Sequence, residues 1–409
     1  MDKLIYMDNA ATTATRPEVV EAMMPYFSQY YGNPSSLYAL AEDSRTAIDK
    51  ARDIITDSIG AEQYVTNTGT RDHKKYDIYF TAGGTEADNW AIISTAEAYE
   101  SKGKHIITSA IEHHAVLHAC QYLQKRGWDV TYLGVDSDGV IDLDELESAI
   151  RDDTVLVSIM FANNEIGTLQ PVREIGAITK KHGVLFHTDA VQAYCQVPIN
   201  VDELGIDMMS ASAHKLYGPK GIGFLYIRKG LKTKSFIHGG AQERKRRAGT
   251  ENVPGIVGFG KAVEIGMATM AARLENETAL RNRLIDRITS EIDYVQLNGP
   301  RENRLPGNAN FVFRFIESET ILLDLNQLGI CASSGSACTS GSLDPSHVLL
   351  ACGIPHEYAN GSVRLTLGHA NTQEEVDFVV DSLKEIVEKW RLRSPLYEDF
   401  IKKQKKGAQ

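Results

Sequence analysis

VLFHTDAVQAYCQVPINVDELGIDMMSASAHKLYGPKGIGFLYI, residues 184–227, contains three short apolar runs. Val184–Thr188, Met208–Ala213 and Phe224–Ile227 each read as a strand buried on both faces, and the last two flank a Gly-rich turn. Working upstream, the order of strand, loop and helix recurs. Thr154–Phe161 predicts another apolar strand. Pro171 then opens a helix that turns Val172, Ile175 and Ile178 inward before Gly183 stops it. Further back, Asp77–Thr81 predicts a strand, followed by Ala82-Gly83-Gly84-Thr85 and a helix through Trp90 and Ile93. Residues 47–59 put Ala47, Ile48, Ala51, Ile54, Ile55 and Ile59 on one helical face, with Gly60 as the stop. Such alternation indicates an α/β fold around a mostly parallel sheet. Ligands of such sheets gather beyond the carboxyl ends of the strands.

Downstream, a helical stretch from about Asn252 to Ile292 predicts the connection to a second, smaller domain. That domain would hold a strand over Asn308–Phe315, where Phe311, Phe313 and Phe315 alternate, and a second strand over Ser362–Leu367. A final amphipathic helix follows, opened by a Thr372–Glu375 capping box, with Val376, Val379, Val380, Leu383, Ile386, Val387 and Trp390 as its buried stripe. The Lys-rich tail 397–409 reads as mobile. Polar Glu62–Tyr76 reads as a surface insertion without assignable chemistry.

The chain has 409 residues, and its 43 basic and 54 acidic side chains give a formal charge of −11. Length predicts two or three domains, and 43% hydrophobic content argues against disorder. No apolar run is long enough for a membrane helix, and the start lacks a signal peptide's apolar region, so the expectation is a soluble, cytoplasmic protein without a membrane partner. The acidic balance disfavours a nucleic-acid partner. Five cysteines, at 120, 195, 331, 338 and 352, include no CxxC and suggest reduced thiols, with no metal expected.

Four constellations could carry chemistry. Gly83-Gly84-Thr85-Glu86, at a strand-to-helix turn, offers free N–H groups and a hydroxyl to a phosphate, although alone it reads more readily as a capped turn. Asp189 ends the first quoted run, with Gln192 three residues on. Ser212-Ala213-His214-Lys215 ends the second, and a partly buried Lys there would favour Schiff-base chemistry. Together, Thr85, Asp189 and Lys215 supply the phosphate cradle, pyridinium partner and imine-forming amine that pyridoxal 5'-phosphate (PLP) requires. Gln192 could hydrogen-bond the ring oxygen, and His113 could stack on the ring. His114 and His118, at i, i+4, leave metal binding as an alternative. The fourth constellation is the loop SSGSACTS, residues 333–340, whose small residues predict a mobile segment and an accessible Cys338 thiol. Cys120, Cys331 and Cys352 look like core thiols; Cys195 is undecided.

These motifs, with Tyr6-Met7-Asp8-Asn9-Ala10-Ala11-Thr12-Thr13, Gly32-Asn33-Pro34-Ser35-Ser36, Asn163-Asn164-Glu165-Ile166-Gly167 and Arg246 through Asn252, run through nearly the whole chain. In that order they resemble the class I cysteine desulfurases, closest in form to the nitrogen-fixation branch. The resemblance implies the aminotransferase fold type I. Its large PLP-binding domain, with a mostly parallel sheet of seven-stranded type, would span residues 16–260. The small α/β domain would be formed by 1–15 and 261–409 and carry Cys338. The implied assembly is a homodimer.

Residue by residue, the resemblance makes Lys215 the imine-forming amine and Asp189 the ring-nitrogen partner. Gly84, Thr85, Ser212 and His214 hold the phosphate, which Thr250 reaches from the partner subunit. Gln192, His113 and Asn164 contact cofactor or substrate. Arg364 clamps the substrate carboxylate, helped by Asn33, and Cys338 accepts sulfur. The implied reaction converts L-cysteine to L-alanine, leaves a persulfide on Cys338, with His113 as a base beside the thiol, and hands sulfur to an iron–sulfur scaffold protein. A selenocysteine lyase or another class V PLP enzyme would share the Lys215–Asp189–Thr85 set without requiring Cys338. A catalytically silent scaffold or a nicotinamide oxidoreductase is the reading from outside PLP chemistry.

Overall fold

The computed structural model of the chain describes residues 4–61, 77–335 and 345–407. Its strands are β1 (Ile5–Tyr6), β2 (Ile78–Thr81), β3 (His105–Ser109), β4 (Asp129–Leu133), β5 (Thr154–Ser158), β6 (Leu185–Asp189), β7 (Met208–Ser212), β8 (Gly223–Ile227), β9 (Val295–Leu297), β10 (Asn308–Phe313), β11 (Ile330–Cys331) and β12 (Ser362–Thr366). Seven of them form one sheet in the order β2-β8-β7-β6-β5-β3-β4. Only β8 runs against its neighbours, pairing antiparallel with both β2 and β7. The mostly parallel sheet is thus as the apolar runs predict.

Alternation within each strand feeds two cores. Ile107, Val157, Phe224 and Tyr226 point into one, whereas Ile106, Leu156, Leu225 and Ile227 point into the other. Both faces are therefore covered, which is why these strands read as continuous apolar runs. A third core surrounds the antiparallel sheet β12-β10-β9, with Phe311, Phe313, Val363 and Leu365 facing the helix Gln373–Arg391. That helix begins with the expected capping box of Thr372 and Glu375.

The helix Val253–Glu291 joins the two regions. Near its start, Ile256, Phe259 and Val263 enter the main core; near its end, Leu280, Leu284 and Ile288 enter the third core. Close packing fixes Gly260, where a Cβ would fall 2.8 Å from the Ala51 Cβ.

The structure corrects several expectations. The tail is helical over Pro395–Gly407. Tyr397 and Phe400, one turn apart, set their rings against Tyr294 and Phe315, so an aromatic face holds what its lysines alone would leave loose. Phe315 lies beyond the strand, at φ 72°, and packs on this tail. β5 ends at Ser158, three residues before the expected Phe161. The helix containing residues 47–58 begins earlier, at Ala39, and Gly60 takes the left-handed φ of 63° that stops it. The Glu62–Tyr76 insertion lies outside the described residues. Among the described residues, no helix is long and apolar enough to cross a membrane.

Candidate active site

Three strands of the large sheet, the adjacent β6 and β7 and, one strand beyond β8, β2, deliver the site. β2 ends at Thr81 and leads through Gly83 into the helix Gly84–Asn89, β6 ends on Asp189, and β7 ends on Ser212 and tightens into the turn Ala213–Lys215. A cavity of about 700 Å³ opens over these ends. Its lining includes Gly84, Thr85, His113, Asn164, Asp189, Gln192, Ser212, His214, Lys215 and Arg364, ten of the residues expected from the sequence. A second opening of about 720 Å³ shares Gly84, Thr85, Ser212 and His214 and adds Thr12 and Lys220.

The glycines at the helix start are required by space. A Cβ on Gly84 would fall 2.5 Å from Val191 Cγ2. The first N–H groups of a helix lack intrahelical acceptors and so face outward to a bound anion.

Lys215 Nζ donates to the carbonyls of Ala10 at 2.5 Å and Ala11 at 2.8 Å, and Gln192 Nε2 donates to the same Ala10 carbonyl at 2.9 Å. The N-terminal segment is itself clamped to the turn, because Thr13 N and Oγ1 both donate to the His214 carbonyl, each at 2.9 Å. Asp189 Oδ1 accepts from Val191 N at 2.9 Å. Burial pushes Asp189 up to about 6, with the Val191 N–H and the Lys215 charge pulling the other way.

His113 caps the helix His114–Gln124, its Nδ1 accepting from Ala115 N at 3.1 Å. Burial and then the Lys215 charge lower it to about 4. A neutral ring with Nδ1 engaged suits stacking and donation from Nε2, and makes a poor proton acceptor.

At the far end, Arg364 on β12 donates from Nη1 to the Asn164 carbonyl at 2.9 Å and from Nη2 to Asp8 Oδ1 at 3.0 Å. Its Nε is buried with no hydrogen-bond partner among the described residues. The backbones of Arg364 and Ser333 pair in both directions. Cys338 lies outside the described residues, but residues on either side of its segment converge on Glu165. Ser346 Oγ donates to Glu165 Oε2 at 2.5 Å, and a Cβ on Gly335 would fall 2.3 Å from that same oxygen. Glu165 is buried, and desolvation pushes it up to about 7.

Two expected residues lie apart. Asn33 and Thr250 are exposed and line neither opening. Asn33 Oδ1 instead accepts from Ser35 N at 2.9 Å. Of the other cysteines, Cys120, Cys195 and Cys352 are buried and pushed up to about 12, which makes them inert, whereas Cys331 is partly exposed. The His114 and His118 rings sit 5.1 Å apart, with the His347 ring 4.8 Å from His114. Among the described residues, however, the one triad whose ligand atoms converge within 4.8 Å is Asp88, His113 and Asp189. Sequence reasoning missed Asp88, although it lies one helical turn after Thr85 and so shares that residue's face.

Residues 5–379 match the aminotransferase class-V family, and the chain belongs to it. It is 56% identical over 395 residues to "Cysteine desulfurase IscS" of Methanosarcina thermophila, covering 97% of this chain and 95% of the relative. It is 52% identical over 404 residues to the protein of the same name from Clostridium botulinum, covering 98% and 99%. Among solved structures, a "NIFS-LIKE PROTEIN" superposes with a TM-score of 0.86 at 37% identity, covering 94% of this chain and all (100%) of that one. "SspA in complex with cysteine" superposes at 0.78, also with 37% identity, covering 90% of this chain and 100% of that one.

Proposed function

We propose that this chain is a PLP-dependent cysteine desulfurase that converts L-cysteine to L-alanine and leaves the sulfur as a persulfide on Cys338. One observation carries the reading: the Lys215 amine, the Asp189 carboxylate and the glycine-lined cradle all border one cavity whose far end holds Arg364. The residues fit the cofactor. A phosphate suits the outward N–H groups near Gly84, where a Cβ would collide, and a buried carboxylate suits a protonated ring nitrogen.

When bound, PLP supplies an electrophilic carbonyl for amines and an electron sink for the bonds at the substrate Cα. Asp189 would keep the proton on the ring nitrogen, Gln192 and Asn164 would orient the group, and His113 would cover its face. Lys215 moves the Cα proton. Arg364 binds the substrate carboxylate through its fork of donors, and its free Nε accounts for one of them. The Cys338 thiolate attacks the substrate sulfur; the carbon–sulfur bond breaks, its carbon is protonated, and one sulfur–sulfur bond forms. Cysteine plus thiol therefore becomes alanine plus persulfide, with no external oxidant.

The names of the relatives and the shared motifs support this activity. In the same reading the protein is a cytoplasmic homodimer. Exposed Thr250 reaches the phosphate of a second copy, Asn33 assists Arg364, and an iron–sulfur scaffold protein accepts the sulfur. The two cores on either side of the long helix support a division into residues 16–260 and residues 1–15 with 261–409.

Mass spectrometry after treatment with L-cysteine tests the reading. One added sulfur on the peptide containing Cys338 is expected, and none in Cys338→Ala. Full sulfide release by Cys338→Ala would refute the assignment of the acceptor.

A further inference from the structure

Three buried carboxyl side chains, Asp88 and Asp189 in the cavity wall and Glu112 beside them, have little to neutralise them. Asp88, Glu112 and Asp189 are 1%, 0% and 6% exposed. Asp88 and Asp189 have ligand atoms within 4.8 Å of each other and of a His113 ring nitrogen. Asp88 Oδ1 has no hydrogen-bond partner and sits 3.7 Å from His187 Nε2. Glu112 Oε1 accepts from Ser109 Oγ at 2.6 Å and Met160 N at 2.9 Å, while Oε2 has no partner.

The groups facing this cluster offer one cation. His187 on β6 bonds Ser158 Oγ at 2.9 Å and Ser210 Oγ at 3.0 Å, and burial holds it down to about 3. His113, from the neighbouring helix, is neutral as well. Lys215 remains, and it lies on the Asp189 side. Like charges this close in a dry interior cannot all ionise. Asp189 has the amine and the Val191 N–H, so the charge belongs there.

We propose that the cluster holds a single negative charge, on Asp189, and that Asp88 is a positioning residue: a neutral carboxylic acid whose hydroxyl supports Asp189, with protonated Glu112 behind it. A second carboxylate beside Asp189 would bind the proton of the ring nitrogen too tightly and would repel Asp189 from its place. A neutral acid steadies the side chain and moderates its basicity. The role at the ring rests on the proposed function; the charge state of the cluster does not.

Asp88→Leu and Asp88→Asn separate the possibilities. A neutral donor is mimicked by Asn and abolished by Leu. Asp88→Leu is expected to weaken PLP binding, titrated by absorbance, roughly tenfold and to shift the pH at which the bound cofactor changes colour. Asp88→Asn is expected to restore most of both. Infrared spectra of the protein as purified read the charge directly: the protonated-acid C=O band of wild type should lose intensity in Asp88→Asn. A binding loss in Asp88→Asn as large as in Asp88→Leu, or an unchanged acid band, overturns the proposal. If wild type itself binds no PLP, the functional reading falls, and the infrared band still decides the charge of Asp88.

Discussion

The two ends of the cavity are built differently. The cofactor end hangs from β2, β6 and β7, in a sheet whose ladders set Asp189 opposite Ser210 and Ser212 opposite Gly223 of β8. The substrate end is assembled from segments far apart in the chain: Asp8 after β1, Asn164 and Glu165 after β5, Ser346, and Arg364 on β12. A ladder fixes a side chain through backbone hydrogen bonds that tolerate most substitutions. The other end also has Arg364 in a ladder, but its segments are joined by individual side-chain contacts, Arg364 with Asp8 and Ser346 with Glu165, each removable by one change. Chemistry that needs fixed charges sits on the first, and recognition of a substrate with a travelling sulfur sits on the second.

Three substitutions test that contrast. Lys215→Ala, at the ladder end, should abolish alanine release, with a loss on the order of 10²–10⁴-fold or more, because Lys215 is the one lysine among the described residues lining the main cavity. Its thermal unfolding should move little. At the other end, Arg364→Lys should raise the KM for cysteine roughly 10–100-fold, since a single ammonium cannot reproduce a fork, while the cofactor absorbance stays unchanged. An equal loss of cofactor would show that the two ends are not separable.

The smallest effect belongs to Glu165. Its folded value of about 7 lies above its ordinary 4.5. Between those limits the folded state holds more protons than the unfolded one. Stability from this group is therefore present at low pH and falls as pH rises toward 7. Glu165→Gln, neutral throughout, should shrink the difference between urea unfolding at pH 5 and pH 8 by on the order of 1–3 kcal/mol. Persulfide formation on Cys338 should slow in the same variant. An unchanged pH dependence would mean that Ser346 alone secures this corner.

The contrast also explains what could be read from the sequence. Asp189, Ser212 and Lys215 follow apolar strands directly, so their place at a sheet edge is local information. The Ala10 and Ala11 carbonyls that receive Lys215 are backbone groups, invisible to any residue pattern. Ser346 and Glu165 meet across 181 residues, a distance no spacing rule spans. Neither β3 nor β4 is read from the sequence; β3 is buried throughout, whereas β4 is an edge strand with an exposed start and half-buried middle, so its apolar signal is weak. The tail helix was missed because four lysines outweigh two aromatic rings in composition, although the rings decide where it packs.

The helix Val253–Glu291 is 39 residues long, about 58 Å end to end. Rooted in both cores, it works as an axle: neither region can swivel against the other without bending a rod held at both ends.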